Sequence, residues 1–215
     1  MVSGEKSHSP FATHHSYMQN LSILLFDNFE TLDVFGPVEI FGRLTDIYAV
    51  EFYSLRGDVV KNAHGVKILT QPLAAVINGT DIFLIPGGFG TRVEVNNLEL
   101  VAKIKSISEK SAYVLTVCTG SALLAKTGLL DGKNATSNKR AFNWVMSQGE
   151  KVNWNKQARW EVDGKYYTSA GVSAGMDMSL GFIADKHGID FARRVAFQIE
   201  YNWQEDKERD NFSEQ

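Results

Sequence analysis

The sequence holds a single cysteine, Cys118, among 215 residues. No internal disulfide can form, and neither a CxxC zinc site nor CxxC redox chemistry is available. That is consistent with a reducing compartment, and a cytoplasmic location is expected. Basic charge is not in excess either: 22 Lys and Arg stand against 25 Asp and Glu, a net charge of −3. Such a chain offers no field for a phosphate backbone, so no nucleic-acid partner is expected. No apolar run reaches the length that spans a bilayer, so no membrane partner is expected. Residues 1–18 lack the apolar stretch of a secretory signal and read as a flexible extension. Their His8, His14 and His15 could in principle bind metal, but a mobile His-bearing tail accounts for them, and no metal site is expected. There is no G-x-G-x-x-G and no Walker lysine after a glycine loop, and no cofactor is expected.

What is present is a chain of ordinary globular composition, long enough for one generous domain. That domain is placed at 19–203, without repeat, low-complexity block or internal linker. Residues 20–26 form a continuous apolar run of strand length, suited to a sheet covered on both faces. Further strands are expected at 48–54, 81–85 and 113–117, with hairpins turning near His64-Gly65 and at Asp163-Gly164. Leu98, Val101, Ile104 and Ile107 keep helical spacing within 97–110. Residues 34–44, 121–126, 140–146, 169–187 and 189–203 read as helices, and 204–215 as a charged, frayed tail. Strands alternating with helices predict one mainly parallel sheet with helices on both faces. Ligands of such sheets sit beyond the carboxyl ends of the strands.

Three stretches converge on that edge. In the first, Cys118, Thr119 and Gly120 lie between a strand and a helix. A tight turn there lifts one side chain off the backbone and aims it at a helix N-terminus, where negative charge is favoured. Most single cysteines are small core hydrophobes. The turn makes Cys118 a candidate nucleophile, with a thiol expected to ionise more easily than a free one. In the second, Asp33 follows the first strand, just ahead of a helix whose first turn takes Pro37. On spacing alone Asp33 reads as a helix cap. In the third, Pro86-Gly87-Gly88-Phe89-Gly90 is either a bare turn or a loop whose backbone N–H groups approach a ligand.

The residues Leu32-Asp33-Val34-Phe35-Gly36-Pro37, Ile85-Pro86-Gly87-Gly88 and the long run Val-Cys-Thr-Gly-Ser-Ala-Leu-Leu-Ala-Lys-Thr-Gly-Leu-Leu-Asp-Gly at 117–132 resemble the ThiJ/PfpI superfamily. The likeness covers nearly all of 20–203 and is strongest to the isonitrile hydratase branch. It implies a flavodoxin-like three-layer α/β sandwich of the class I glutamine amidotransferase type. It also implies a homodimer and a cysteine on a strained elbow. It gives the sulfur an acidic neighbour at Asp33, as general acid and base, and a residue orienting water or substrate at Thr119. Gly88, Phe89, Gly120 and Asn138 are taken as binding positions. Proteases of the superfamily carry His directly after the cysteine, where this chain has Thr119, so peptide hydrolysis is not expected. Glyoxalase-type members usually carry Glu at the position of Asp33 and also use a His. The hydratase branch often shows Thr-His-Trp where this chain has Thr136-Ser137-Asn138-Lys139, which bears on the substrate. Regulators of the superfamily add a helix-turn-helix domain after the α/β domain, and none is expected here.

The implied substrate is a small molecule, an isonitrile. The Cys118 thiolate would attack its terminal carbon while protonated Asp33 supplies a proton, giving a thioimidate. Ionised Asp33 would then activate water, and collapse would release an N-substituted formamide. Backbone N–H groups of Gly88 and Thr119 would face the developing charge. A carboxyl beside a thiolate is expected to hold its proton to higher pH. Two alternatives stand beside this one: a glyoxalase-like enzyme on small carbonyls, and a redox- or ligand-sensing dimer without turnover.

Overall fold

A computed structural model of the chain describes residues 17–76 and 78–214. His8, His14 and His15 lie outside the described residues, as does most of the expected extension. The chain runs β1 (Gln19–Leu24), α1 (Thr31–Gly42), β2 (Tyr48–Ser54), β3 (Val59–Lys61), β4 (Lys67–Leu69) and β5 (Gln71–Pro72). A 3-10 turn at Leu73–Val76 leads to β6 (Ile82–Ile85), α2 (Thr91–Glu94), α3 (Leu98–Lys110), β7 (Tyr113–Val117) and α4 (Gly120–Lys126). It continues through β8 (Asn134–Ala135), α5 (Phe142–Met146), β9 (Asn153–Trp154), β10 (Trp160–Asp163), β11 (Tyr166–Ser169), α6 (Ala174–His187) and α7 (Ile189–Gln198).

The central sheet has the order β10-β11-β7-β6-β1-β2-β5. Every neighbouring pair is parallel except β10 with β11. All of β6 is buried, as are Leu21 to Leu24 of β1 and Val114 to Val117 of β7. Strands buried on both faces need helices on both faces. β1 passes to β2 in one direction along the sheet, and β6 passes to β7 in the other. Right-handed crossovers therefore put α1 on one face and α3 on the opposite one. α6 packs on α1 and carries α7, while α4 packs beside α3. In α3 the spacing buries Leu100, Ile104 and Ile107, and the Asn97 side chain caps the helix by accepting from the Leu100 N–H at 3.2 Å. The alternating pattern predicts the parallel sheet with its two helical layers, and the fold is flavodoxin-like α/β, as the resemblance implies.

Three local readings of the sequence are corrected. First, α1 starts at Thr31, capped by Glu30, whose side chain accepts the Thr31 N–H. Asp33 is thus inside the first turn rather than ahead of it. Pro37 is well inside the helix and cannot bond back to the Asp33 carbonyl four residues earlier. Packing keeps the helix intact: Val34, Gly36, Pro37, Ile40 and Phe41 are all buried, and a Cβ on Gly36 would come within 2.6 Å of Met176 in α6. Second, α7 ends at Gln198, not near 203. Glu200 turns left-handed at φ 51°, the Tyr201 N–H returns to the Ala196 carbonyl, and the Glu200 N–H returns to Phe197. That is a Schellman closure without the glycine that normally marks one.

Third, the segment after 203 is not frayed. The Gln204 N–H donates to Asp177, the Arg159 N–H to the Lys207 carbonyl, and the Asp210 N–H to Gln157. Asp210 is 1% exposed, with its carboxylate 3.5 Å from the Arg159 guanidinium. Arg159 also holds the buried Asp177 at 2.5 Å. A charged composition reads as a solvated tail, and only the fold shows that Arg159 is waiting for one of its acids.

Candidate active site

The strand order reverses between β6 and β1, which opens a crevice beyond the carboxyl ends of β1, β6 and β7. Cys118 follows β7 directly with φ 58°, a left-handed conformation that costs a non-glycine residue on the order of 1–2 kcal/mol. Bonds on both sides hold it there. Its N–H donates to the Ser169 carbonyl at 3.2 Å, and its carbonyl accepts from the hydroxyls of Ser121 at 3.0 Å and Ser137 at 2.8 Å. Gly120 makes the turn possible from below: a Cβ there would lie 2.2 Å from the Ile85 carbonyl. Gly120 is therefore buried against backbone on the side where a side chain would stand.

Asp33 is 0% exposed. Its Oδ2 accepts the Gly87 N–H at 2.9 Å, while Oδ1 has no hydrogen-bond partner. The carboxyl and the Cys118 thiol are coupled electrostatically, each bearing on the other's protonation. The loop after β6 joins the two. Gly88 has φ 125°, and a Cβ on it would sit 2.4 Å from the Asn28 carbonyl. Its N–H donates to the Thr119 hydroxyl at 3.0 Å, and the Thr91 hydroxyl donates to the same oxygen at 3.1 Å. The Thr119 hydroxyl in turn reaches the Gly88 carbonyl at 3.3 Å. Two expectations change here. The Gly88 N–H is already engaged and does not face the crevice as a free donor. The Thr119 side chain, 2% exposed, ties the two loops together instead of projecting into open space. The Thr119 N–H favours charge on the sulfur.

Burial pushes the Asp33 carboxyl well above the ordinary carboxylate range, against the Gly87 N–H, which favours the anion. Burial likewise pushes the Cys118 thiol well above the ordinary thiol range, and the Asp33 charge adds to it, against the Thr119 N–H and hydroxyl. The easily ionised thiol expected from the helix N-terminus is therefore not what the fold provides. Cys118 is 6% exposed, at the edge of the hydrophobic core. A Cβ on Gly171 would lie 2.9 Å from Sγ and 2.3 Å from the Asn138 amide nitrogen.

Gly171 and Asn138 also line a cavity of about 840 Å³. The other residues around it include Arg92, Phe142, Trp144 and Phe212. Asn138 is thus beside both the sulfur and the cavity. Phe89 is 75% exposed, with the Arg92 guanidinium 5.6 Å from its ring centre. Arg92, Gly171, Trp144 and Phe212 were not legible as site residues: none belongs to a motif, and the fold alone gathers them. Among the described residues no three His, Cys, Asp or Glu side chains are placed to hold a metal ion. No helix among the described residues is long and apolar enough to cross a membrane.

The DJ-1/PfpI family profile matches residues 19–185. The isonitrile hydratase of Pseudomonas putida is 28% identical over 183 residues, covering 84% of this chain and 78% of that protein. The HTH-type transcriptional regulator CdhR of Pseudomonas aeruginosa is 27% identical over 84% of this chain, which spans only 54% of the regulator. A solved ThiJ/PfpI family protein from Pseudomonas syringae superposes with a TM-score of 0.77 at 25% identity, over 86% of this chain and 76% of that one.

Proposed function

The chain belongs to the DJ-1/PfpI family, and from that premise we propose that it is a cysteine-dependent enzyme hydrating an isonitrile to an N-substituted formamide. One observation carries the reading: a fully buried carboxyl, Asp33, brought to the left-handed elbow of Cys118, its Oδ2 and the Thr119 backbone nitrogen lying 2.9 and 2.5 Å from where a Cβ on Gly87 would stand. Likeness to an isonitrile hydratase over most of both chains supports the substrate class. Thr119, where proteases of the superfamily carry His, argues against peptide hydrolysis.

The mechanism follows from a pair that rests protonated. Sγ bonds to the terminal isonitrile carbon. The thiol proton passes to Asp33 as a carboxyl proton passes to that carbon, leaving a thioimidate and an unchanged carboxyl. Water then adds to the thioimidate carbon, and its proton reaches the nitrogen by the same relay. When the C–S bond breaks, the hydroxyl proton returns to sulfur and the formamide departs. The sum is isonitrile plus water giving formamide. The Thr119 N–H stabilises charge on the sulfur as it forms and leaves. The scheme needs no cofactor.

The test is formamide formation from cyclohexyl isonitrile by the purified protein. Cys118→Ala should abolish it. No formamide from the wild-type protein would overturn the reading. Lactate formation from methylglyoxal without isonitrile turnover would select a glyoxalase-like activity instead. A sensor without turnover is the second reading, favoured by the match of a transcriptional regulator over the same region. Ligand binding with neither substrate consumed would select it. A homodimer is part of the proposal, and light scattering at micromolar concentration tests it. We also propose a cytoplasmic location.

A further inference from the structure

The cavity beside the sulfur has a charge that the composition does not lead one to expect. Arg92, Arg140 and Lys156 line it, and among the described residues no Asp or Glu does, although the chain as a whole carries −3. The buried acids Asp177 and Asp210 are held by Arg159. Lys139 also lines the cavity, but its Nζ is turned to the Thr136 hydroxyl at 2.9 Å and the Ala158 carbonyl. It adds field rather than a contact.

Arg92 is the positioned member of the set. Its guanidinium lies over the face of the Trp144 ring, 4.3 Å from the ring centre, a cation–π contact that holds it in place. Its nearest oxygen acceptors, the Gly88 carbonyl and the Thr91 hydroxyl, are long at 3.5 and 3.4 Å. Among the described residues no carboxylate forms a salt bridge with it. A stacked guanidinium keeps its edge donors for a planar anion. Arg92 is also close to the chemistry, since the neighbouring Thr91 hydroxyl bonds Thr119 at the elbow. Phe142, Trp144 and Phe212 supply apolar walls beside these cations.

We propose that this cavity selects substrates bearing a carboxylate on a flat apolar body, with Arg92 as the residue that receives the carboxylate. For the reacting group the proposal rests on the isonitrile reading; for the anion it rests on Arg92, Arg140 and Lys156. The experiment compares 4-isocyanobenzoate with its methyl ester, which removes the charge and keeps the ring. The wild-type protein should favour the carboxylate in kcat/KM by at least about tenfold, the scale of one charge-assisted hydrogen bond. Arg92→Gln should narrow that preference to less than about threefold, a ratio that a general loss of activity does not move. A second arm measures binding of 4-formamidobenzoate and its methyl ester to Cys118→Ala by calorimetry. Turnover of both isonitriles at equal kcat/KM overturns the anion site and leaves the hydratase reading standing. No turnover, with the formamidobenzoate bound at least tenfold tighter than its ester, does the reverse. No turnover and no preference in binding overturns both.

Discussion

Replacing Asp33 by Asn should make the protein more stable at neutral pH and nearly inactive. Burial raises the folded pKa of Asp33 above its unfolded value of about 3.9. Below that value both states hold the proton, and the contribution of the group to stability is fully present. As pH rises, the unfolded chain releases its proton while the folded chain keeps it. Stability then falls by about 1.4 kcal/mol per pH unit until the folded value is passed. Asn has no such proton to lose. Between pH 5 and pH 7 the wild-type protein should therefore lose stability relative to Asp33→Asn, by about 1.4 kcal/mol for each pH unit below the folded value. At about 2–4 °C per kcal/mol for a domain of this size, the gap in Tm should shift by about 3–6 °C per such pH unit in favour of the variant. Asp177, whose carboxyl burial also raises, is present in both proteins and cancels in the comparison. Cys118 does not interfere, because its unfolded value near 8.5 lies above the window. Thermal melts of both proteins at three pH values, with urea titrations beside them, measure the effect. Parallel pH dependences would refute the buried neutral carboxyl. In the isonitrile assay the same variant should lose at least about two orders of magnitude in kcat, the scale of general acid–base catalysis. Gain in stability with loss of turnover separates a proton-relaying group from a merely structural one.

Two further perturbations bear on the docked C-terminal segment. Arg159→Met leaves Asp177 and Asp210, 0% and 1% exposed, without their cation. It should cost about 3–5 kcal/mol by urea unfolding, and limited proteolysis should then cut the chain after Lys207; a loss under 1 kcal/mol would contradict the pairing. Phe212→Ala removes a ring that is 52% exposed yet lines the cavity. It should raise KM for an aryl isonitrile several-fold, about 1 kcal/mol of lost apolar contact, with little change in Tm. An unchanged KM would remove Phe212 from the site.

How much of this was legible in the sequence depended on whether the signal was local. The apolar runs of β1, β6 and β7 declare a sheet covered on both faces, because no other arrangement buries four consecutive side chains on each. The elbow was legible because one short stretch contains its strand, its glycine and its helix. The convergence of Asp33, Gly88 and Cys118 followed from a rule about strand ends and needed no contact information. What escaped was set by distant partners. Pro37 reads as a helix start, yet burial of Ile40 and Phe41 carries α1 through it. Gly120 reads as a ligand-facing glycine, and its second task, letting α4 approach the Ile85 carbonyl, shows only in the fold. Asp210 sits in a run of charges, and nothing nearby in sequence announces that its partner is Arg159.

The expectation that failed most instructively concerned the thiol, and magnitudes show why. A helix N-terminus stabilises a nearby anion by roughly 0.3–1 kcal/mol, rarely by about 2. Removing an ion from water costs several kcal/mol. α4 is only Gly120–Lys126, Cys118 is 6% exposed, and Asp33 stands beside it. Burial wins, and the sulfur rests as a thiol that gives up its proton during attack. Iodoacetamide at pH 7 should therefore alkylate Cys118 at least about tenfold more slowly than free cysteine in the same buffer, since only the thiolate reacts. The rate should climb only above pH 8.5, the ordinary thiol value. Intact mass against time gives both numbers. Alkylation as fast as free cysteine, with a plateau below pH 8, would refute the protonated resting state. It would also strengthen the sensor reading, because oxidation by peroxide needs an exposed thiolate already formed. A thiol that is slow toward these reagents yet turns over an isonitrile must be activated by its substrate's arrival and by the carboxyl next to it.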